Sequence, residues 1–291
     1  MKYFRKQNSI IKDEWYSSLV AFDGKSYHEL GLSDFSELYL IAKESSLSPN
    51  QYVKKMISNE NLPIFQNEID ESLILSPIFP QEVWAAGVTY SDSMRERQAE
   101  SDTPDVYAKV YSADRPEIFF KGTGERMQGP NEELGIRKDS GWDVPESELA
   151  VVIIDGEIAG YTIGNDMSSR SIEGENPLYL PQAKVYNKSF SLGPSIVSTD
   201  EIEDPQNLKV NLTITREGNN VFKGESSTSE MKRNVYELVE WLQKSNDLPH
   251  VAVLMTGTGI IPPQDFTLRE GDIVNISIEK IGTLTNKIVL V

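Results

Sequence analysis

The stretch from Val144 to Asp166 constrains the fold most, because two runs of strand-forming residues flank Asp155-Gly156. Such a pattern predicts a β-hairpin. Glu146 and Glu148 lie near the start of the first strand, and Asp166 lies at the end of the second. Residues two apart point to the same face of a strand, so the side chains of Glu146 and Glu148 project together.

The position of Asp166 depends on how the chain reverses. With a three-residue loop, Asp155-Gly156-Glu157, Asp166 comes back directly opposite Glu146; with a strict two-residue turn it lies on the other face. Three clustered carboxylates without His or Cys suit a hard divalent cation such as Mg²⁺, Mn²⁺ or Ca²⁺. A hairpin with acidic, solvated ends is the plainer alternative, because Glu-x-Glu is a common pattern.

Composition excludes several classes of function. The chain of 291 residues has no cysteine, which excludes disulfides, thiolate metal sites and a cysteine nucleophile. Two histidines, His28 and His250, leave little material for Ser-His chemistry. A net charge of −17 argues against nucleic acid or an anionic membrane as partner. No run reaches transmembrane length and the N-terminus lacks a signal-peptide core, so we expect a soluble, cytoplasmic protein.

The chain is predicted to form two domains. Residues 1–75 indicate a small α+β domain, with short strands around Asp23-Gly24 and two helices. The stretch Leu75–Pro80 is predicted to be a linker, because its two prolines suit neither a helix nor a central strand. Residues 76–291 are expected to form the larger, catalytic domain.

Three further segments carry candidate functional groups. Period-two alternation places Glu117, Phe119 and Lys121 on one strand face, where an internal salt bridge is the plain explanation and catalysis the alternative. The long segment from Met167 to Lys184 is rich in turn formers, and Lys184 is the cation expected to approach the carboxylates. The Gly-rich turn Thr256-Gly-Thr-Gly259 could receive an anion on its backbone N–H groups.

Several motifs together resemble one known family, the fumarylacetoacetate hydrolase family. They are Pro145–Ile153, Gly160–Arg170, Gly193-Pro194, Thr256–Gly259, and Leu268–Asp272 with Ile281-Gly-Thr. The resemblance covers roughly residues 80–291. It implies an α+β, mainly β protein whose C-terminal domain is a mixed β-sandwich roll. It also implies Mg²⁺ held by Glu146, Glu148 and Asp166, a small 2-oxo or 1,3-dioxo acid as substrate, and a homodimer or homotetramer.

One departure from the family pattern changes the expected reaction. The hydrolase branch carries a histidine in a Gly-x-x-Tyr-x-x-His pattern, whereas the matching stretch here ends in Ser93. Hydrolytic C–C cleavage is therefore not expected. The segments 115–121 and 173–184 are similar to the 2-keto-3-deoxy-pentonate dehydratases, which act on 2-keto-3-deoxy-D-arabinonate or -D-xylonate and give 2,5-dioxopentanoate. The resemblance implies a Mg²⁺-dependent dehydratase of pentose catabolism.

Dehydration of a 2-keto-3-deoxy acid requires an acid–base pair at the site. A base must remove a C3 proton and an acid must protonate the leaving C4 hydroxyl, and we expect Glu117 and Lys184 to be this pair. Which of the two takes the proton stays open, as does a role for Lys184 in binding the substrate carboxylate. The residues expected to bind substrate are Ser91, Lys121, Lys184, Gly257 and Thr258. Arg170 is expected to position the carboxylates, and Glu173 either contacts substrate hydroxyls or orders its loop.

Two other functions compete with dehydration. A hydrolase or decarboxylase of a 2,4-dioxo or 2-oxo acid would use the same fold and differ in its products. A non-catalytic sugar-acid-binding protein would bind metal and ligand without turnover, which the presence of both Glu117 and Lys184 argues against.

Overall fold

The structure is a computed structural model that describes residues 1–11, 14–59, 64–66, 69–100 and 104–291. Its strands are β1 Lys2–Ile11, β2 Glu14–Phe22, β3 Tyr27–Glu29, β4 Ile64–Gln66, β5 Ile74–Leu75, β6 Glu82–Gly87, β7 Glu117–Gly122, β8 Met127–Gln128, β9 Glu133–Ile136, β10 Asp143–Ile154, β11 Glu157–Ser169, β12 Phe190–Ser198, β13 Lys209–Arg216, β14 Asn219–Ser227, β15 Val251–Met255, β16 Ile273–Ile278 and β17 Gly282–Leu290. Its helices are α1 Phe35–Glu44, α2 Pro49–Ser58, α3 Ser91–Glu100, α4 Pro104–Ser112, α5 Arg170–Glu175, α6 Leu180–Lys184 and α7 Val235–Gln243. In the described part of the chain, no helix combines the length and the apolar character that a membrane crossing requires.

Two sheets organise the protein. The larger has the order β4-β3-β2-β1-β12-β11-β10-β15-β6-β7, with β5 paired to β1 and β8 paired to β12. The smaller has the order β14-β13-β16-β17-β9. Most neighbouring strands are antiparallel, but β15 and β6 run parallel, as do β17 and β9. The expected α+β, mainly β architecture with a mixed sheet is confirmed.

Both faces of the larger sheet pack against apolar cores, because alternate side chains of β10 belong to two different cores. Leu149, Val151 and Ile153 point to the core shared with the smaller sheet and α7. The residues between them, such as Ala150 and Val152, point to a second core on the opposite face. A strand buried on both faces reads as a continuous apolar run, which explains the sequence Leu-Ala-Val-Val-Ile-Ile.

The N-terminal strands extend the larger sheet. Strand β1 pairs with β12, with Tyr3 opposite Ile196. Phe35 and Leu38 of α1 and Val53 of α2 pack in the second core. The segment around residue 78, in the predicted linker, is buried against the same core. The division of the chain at residue 75 stays a prediction.

The hairpin between β10 and β11 reverses through two residues, Asp155 and Gly156, with φ of 49° and 78°. Ile154 pairs with Glu157 and Ile153 with Ile158, but Val152 pairs with Gly160. The skipped residue, Ala159, is a β-bulge that shifts the register by one. Asp166 therefore lies opposite Glu146, as a three-residue loop would have placed it.

The candidate metal centre and active site

Three carboxylates meet at the end of the hairpin that leads into α5. Glu146 and Glu148 on β10 and Asp166 on β11 each place an oxygen within 4.8 Å of the others. All three side chains are buried. Ionised carboxylates this close repel one another in a medium of low dielectric constant, so they need compensating cations. The cluster has the all-oxygen donor set that Mg²⁺, Mn²⁺ and Ca²⁺ prefer.

Lys184 supplies one compensating charge. Its Nζ donates hydrogen bonds to Glu146 Oε2 at 2.7 Å, Asp166 Oδ2 at 3.0 Å and Ser168 Oγ at 2.6 Å. The two carboxylate oxygens attract positive charge and so favour the ammonium form of Lys184. Lys184 ends α6, in the segment where a cation was expected to approach the carboxylates.

Arg170 supplies a second compensating charge. It follows directly after β11 and begins α5, whose N-cap is Ser169. The Arg170 Nη2 atom donates to Glu146 Oε1 at 3.0 Å, and the arginine is 1% exposed. The arrangement, with Arg170 behind the carboxylate oxygens, is the one expected for a residue that positions a ligand.

Glu148 has a different environment from its neighbours. Its Oε2 accepts a hydrogen bond of 2.6 Å from the backbone N–H of Gly257. Burial raises the pKa of Glu148 well above its usual range, and the negative charges of Asp166 and Glu146 raise it further. A cation bound among the three carboxylates would reverse this effect by favouring their ionised forms.

A small pocket lies beside the carboxylates. Its wall includes Glu117, Phe119, Glu146, Asp166, Glu173, Lys184, Gly257 and Thr258. Glu117 is held close against the main chain of β6, where a β-carbon on Gly87 would lie 2.3 Å from its Oε2. The structure thus brings both members of the expected acid–base pair to the wall of one pocket.

The turn after β15 forms one side of this pocket. Gly257 has φ of +92°, and the hydroxyl of Thr258 contacts that of Ser147 at 3.3 Å. The loop after β6 is bonded to the same turn, since Thr89 Oγ1 donates a hydrogen bond to the Thr256 carbonyl at 2.7 Å. Gly257 and Thr258 therefore lie next to the carboxylates, and their role in binding substrate stays a prediction.

Two of the expected substrate-binding residues lie outside the pocket wall. Lys121 is completely buried below it, and Ser91 begins α3 on a partly exposed turn. Ser93, two residues further along α3, lines the pocket instead and is 6% exposed. Ser93, which occupies the position of the hydrolases' histidine, therefore lines the pocket, whereas Ser91 does not.

Sequence reasoning missed Ser147 and Ser168. Ser168 lies two residues after Asp166 on β11, so the period-two rule already placed both on one face. Ser147 carried no such signal, since it points to the opposite face from Glu146 and Glu148. It meets Thr258 because the chain after β15 continues along β10 in the register that places Met255 opposite Ala150.

Comparisons with known proteins agree with this geometry. The family model described as "Fumarylacetoacetate (FAA) hydrolase C-terminal" matches residues 82–289. A protein of Haloferax volcanii named probable 2-keto-3-deoxyxylonate dehydratase is 46% identical over 260 residues, 89% of each chain. The 2-dehydro-3-deoxy-D-arabinonate dehydratase of Saccharolobus solfataricus is 40% identical over 290 residues, which is 98% of this chain and 95% of that protein.

A solved structure extends the similarity to three dimensions. The 2-keto-3-deoxy-D-arabinonate dehydratase complexed with magnesium and 2,5-dioxopentanoate matches with a TM-score of 0.81 and 36% identity, covering 100% of this chain and 99% of that one. The family model spans most of the chain, and the fold agrees with it. The chain belongs to the fumarylacetoacetate hydrolase family.

Proposed function

We propose that this protein is a Mg²⁺-dependent dehydratase that converts a 2-keto-3-deoxypentonate to 2,5-dioxopentanoate and water. The observation that carries the proposal is the pocket in which Glu117 and Lys184 lie beside Glu146, Glu148 and Asp166. The relatives named as dehydratases, at 46% and 40% identity, support the substrate class. Mg²⁺ is the proposed ion because the matching solved complex contains magnesium.

Glu146, Glu148 and Asp166 would hold the divalent cation. When bound, the cation would act as a Lewis acid for the 2-oxo group of the substrate and so acidify the C3 hydrogens. Mn²⁺ and Ca²⁺ are also compatible with three carboxylate oxygens, and the magnesium in the matching solved complex is the reason for proposing Mg²⁺.

Glu117 is the proposed base that takes the C3 proton. It lies on the pocket wall as a carboxyl group, a suitable acceptor when ionised, whereas Lys184 contacts two carboxylates that favour its ammonium form. Lys184 is accordingly the proposed acid, which gives a proton to the C4 hydroxyl as it leaves as water. Proton shifts from C5 to C3 and from the C5 hydroxyl to C4 then give the aldehyde, so that one water is lost overall.

The other pocket groups bind and orient the substrate. Thr258 is proposed to receive the substrate carboxylate, while the backbone N–H of Gly257 already donates to Glu148 and so holds the turn in place. Glu173 and Ser93 line the same pocket from α5 and α3. A serine at position 93 argues against the hydrolase alternative, because it lacks the imidazole that the hydrolases use. The cytoplasmic location and the homodimer or homotetramer stay predictions.

The test is incubation of the purified protein with a panel of 2-keto-3-deoxy sugar acids, with and without Mg²⁺, followed by product analysis. We expect 2,5-dioxopentanoate only with Mg²⁺ and a pentonate. Release of CO₂ would indicate a decarboxylase, and two smaller acids would indicate a hydrolase. No turnover of any member, with Mg²⁺ bound, would overturn the dehydratase assignment.

A further inference from the structure

Lys121 is a completely buried lysine next to the proposed metal centre but outside the pocket wall. Its Nζ forms an ion pair with Asp166 Oδ1 at 2.5 Å and donates a hydrogen bond to the Met167 carbonyl at 3.0 Å. It also donates a short hydrogen bond to the carbonyl of Lys184. The Nζ atom thus makes one ion pair with a carboxylate and two hydrogen bonds to main-chain carbonyls.

These contacts fix the Asp166 carboxylate from behind. Oδ1 is paired with Lys121, and Oδ2 accepts from Lys184 Nζ at 3.0 Å. Rotation of the carboxylate would break an ion pair in a fully buried place, where replacing it with water is not possible. Asp166 is therefore held with one defined oxygen, Oδ2, directed to the side of Lys184.

The same ammonium fixes the main chain of Lys184. The carbonyl of Lys184 is the last in α6, where the end of a helix leaves carbonyls without an intrahelical partner. Lys121 satisfies this carbonyl from β7. Glu117 begins the same strand, so one rigid element carries the proposed base and the anchor of the proposed acid.

We propose that Lys121 is a positioning residue that holds the Asp166 carboxylate and the main chain of Lys184 in fixed relation to each other and to Glu117. The proposal replaces the expectation that Lys121 binds substrate. It rests on the proposed function, which assigns Asp166 to the cation and Lys184 to proton transfer.

Removing this ammonium has opposite effects on metal binding and on turnover. Without Lys121, the buried Asp166 carboxylate keeps only Lys184 as a compensating cation, and a like charge near the divalent cation is gone, so both changes favour Mg²⁺. We expect Mg²⁺ to bind about tenfold more tightly, a typical size for coupling between two bound charges. We expect kcat to fall at least about tenfold, because a small displacement of a reacting group is costly.

The experiment compares wild type, Lys121→Met and Lys121→Gln by calorimetric titration with MgCl₂, by the melting temperature with and without Mg²⁺, and by kcat and KM. Lys43→Met, which removes a lysine that contacts Glu157 on the surface, is the control for loss of one positive charge. We expect this control to match wild type in all measurements. We expect Mg²⁺ to raise the melting temperature of both Lys121 variants by more than it raises that of wild type.

Unchanged or weaker Mg²⁺ binding in both Lys121 variants would overturn the proposal, as would an unchanged kcat. A variant that folds only with Mg²⁺ supports it, whereas failure of both to fold even with Mg²⁺ would overturn the positioning role in favour of a purely structural one. The titration does not depend on substrate. If wild type binds Mg²⁺ but converts no sugar acid, the proposed function is refuted. The Mg²⁺ affinities of the Lys121 variants would still test the role of Lys121.

Discussion

The Glu148 side chain accepts a hydrogen bond of 2.6 Å from the backbone N–H of Gly257, and the next residue of that turn, Thr258, contacts Ser147. Two consecutive residues of β10, pointing to opposite faces, thus hold two consecutive residues of the turn. The proposed cation site and the proposed carboxylate site share one rigid support. Their separation is therefore fixed by the sheet rather than by a mobile loop.

Ser147→Ala should weaken substrate binding without weakening metal binding. A hydrogen bond between two neutral groups contributes about 1 kcal/mol, so KM should rise about fivefold while kcat changes less than twofold. Steady-state kinetics and a Mg²⁺ titration measure both effects. Ser195→Ala is the matched control, because that buried serine bonds the Ile281 carbonyl away from the pocket. A change in Mg²⁺ affinity with an unchanged KM would contradict the prediction.

Gly257→Ala should impair the turn by steric conflict as well as by backbone strain. A β-carbon there would lie 2.0 Å from Thr89 Oγ1, at φ of +92°. Gly271 has nearly the same φ, +90°, but has no atom near its missing β-carbon, so Gly271→Ala isolates the strain. We expect Gly271→Ala to lower the free energy of unfolding by about 1–2 kcal/mol and to keep kcat/KM.

The two glycine variants are compared by chemical denaturation and by kcat/KM. Gly257→Ala should lose more stability than Gly271→Ala and should also lose activity at least about tenfold, since the turn must shift. Equal losses in the two variants would mean that the contact with Thr89 does not matter.

The raised pKa of Glu148 predicts an unusual pH dependence for the metal-free protein. The folded state holds a proton on Glu148 above pH 4.5, its ordinary pKa, whereas the unfolded chain has released it. The unfolded state then binds fewer protons, so the contribution of Glu148 to stability declines as pH rises from about 4.5 through the raised pKa. Excess Mg²⁺ should remove this decline, because it stabilises the ionised carboxylate.

Melting temperatures measured across pH, with EDTA or with Mg²⁺, check this dependence. Glu148→Gln should flatten the metal-free profile and weaken Mg²⁺ binding at least about tenfold. Glu201→Gln is a control, because that carboxylate lies on the surface at the N-terminal amine. The same slope in wild type and Glu148→Gln would assign the pH dependence to another group.

Glu117→Gln and Lys184→Met should stop the reaction at different steps. Loss of a general acid or base typically costs about 100-fold or more in kcat, so both variants should be slow. In D₂O, Glu117→Gln should leave the C3 hydrogens of recovered substrate unexchanged, since no base removes them. Lys184→Met should still exchange C3 hydrogen for deuterium but form little product.

Nuclear magnetic resonance of the recovered substrate distinguishes these outcomes, and a Mg²⁺ titration shows whether each variant still binds metal. The reverse pattern, with exchange in Glu117→Gln and none in Lys184→Met, would exchange the two proposed roles. Near-normal turnover in both would eliminate the pair.

Residue patterns predicted much of the site, because period-two alternation is local. It placed Glu146 with Glu148, and Glu117 with Lys121, on shared strand faces. It could not show that Lys121 is sealed below the pocket, since burial depends on Met167 and the end of α6, which are distant in the chain.

Period-two alternation could not predict which face of α3 points to the pocket or which strands pair with each other. Ser91 and Ser93 both begin α3, and which of them faces the pocket depends on how α3 sits against α5. The pairing of β1 with β12 joins residues almost 200 positions apart, and neither strand has a sequence pattern that identifies the other as its partner. The mixed-sheet architecture could be predicted through the family resemblance, whereas the contribution of β1 to the same sheet could not.

The Ala159 bulge shows where this hairpin can change in length. A residue added or removed in the turn or at the bulge leaves Asp166 opposite Glu146, whereas one added or removed within the paired stretch, and not taken up by a bulge, shifts the register and turns Asp166 to the other face. Insertions and deletions in functional relatives should accordingly fall at the turn or at the bulge, even though both lie far from the reacting atoms.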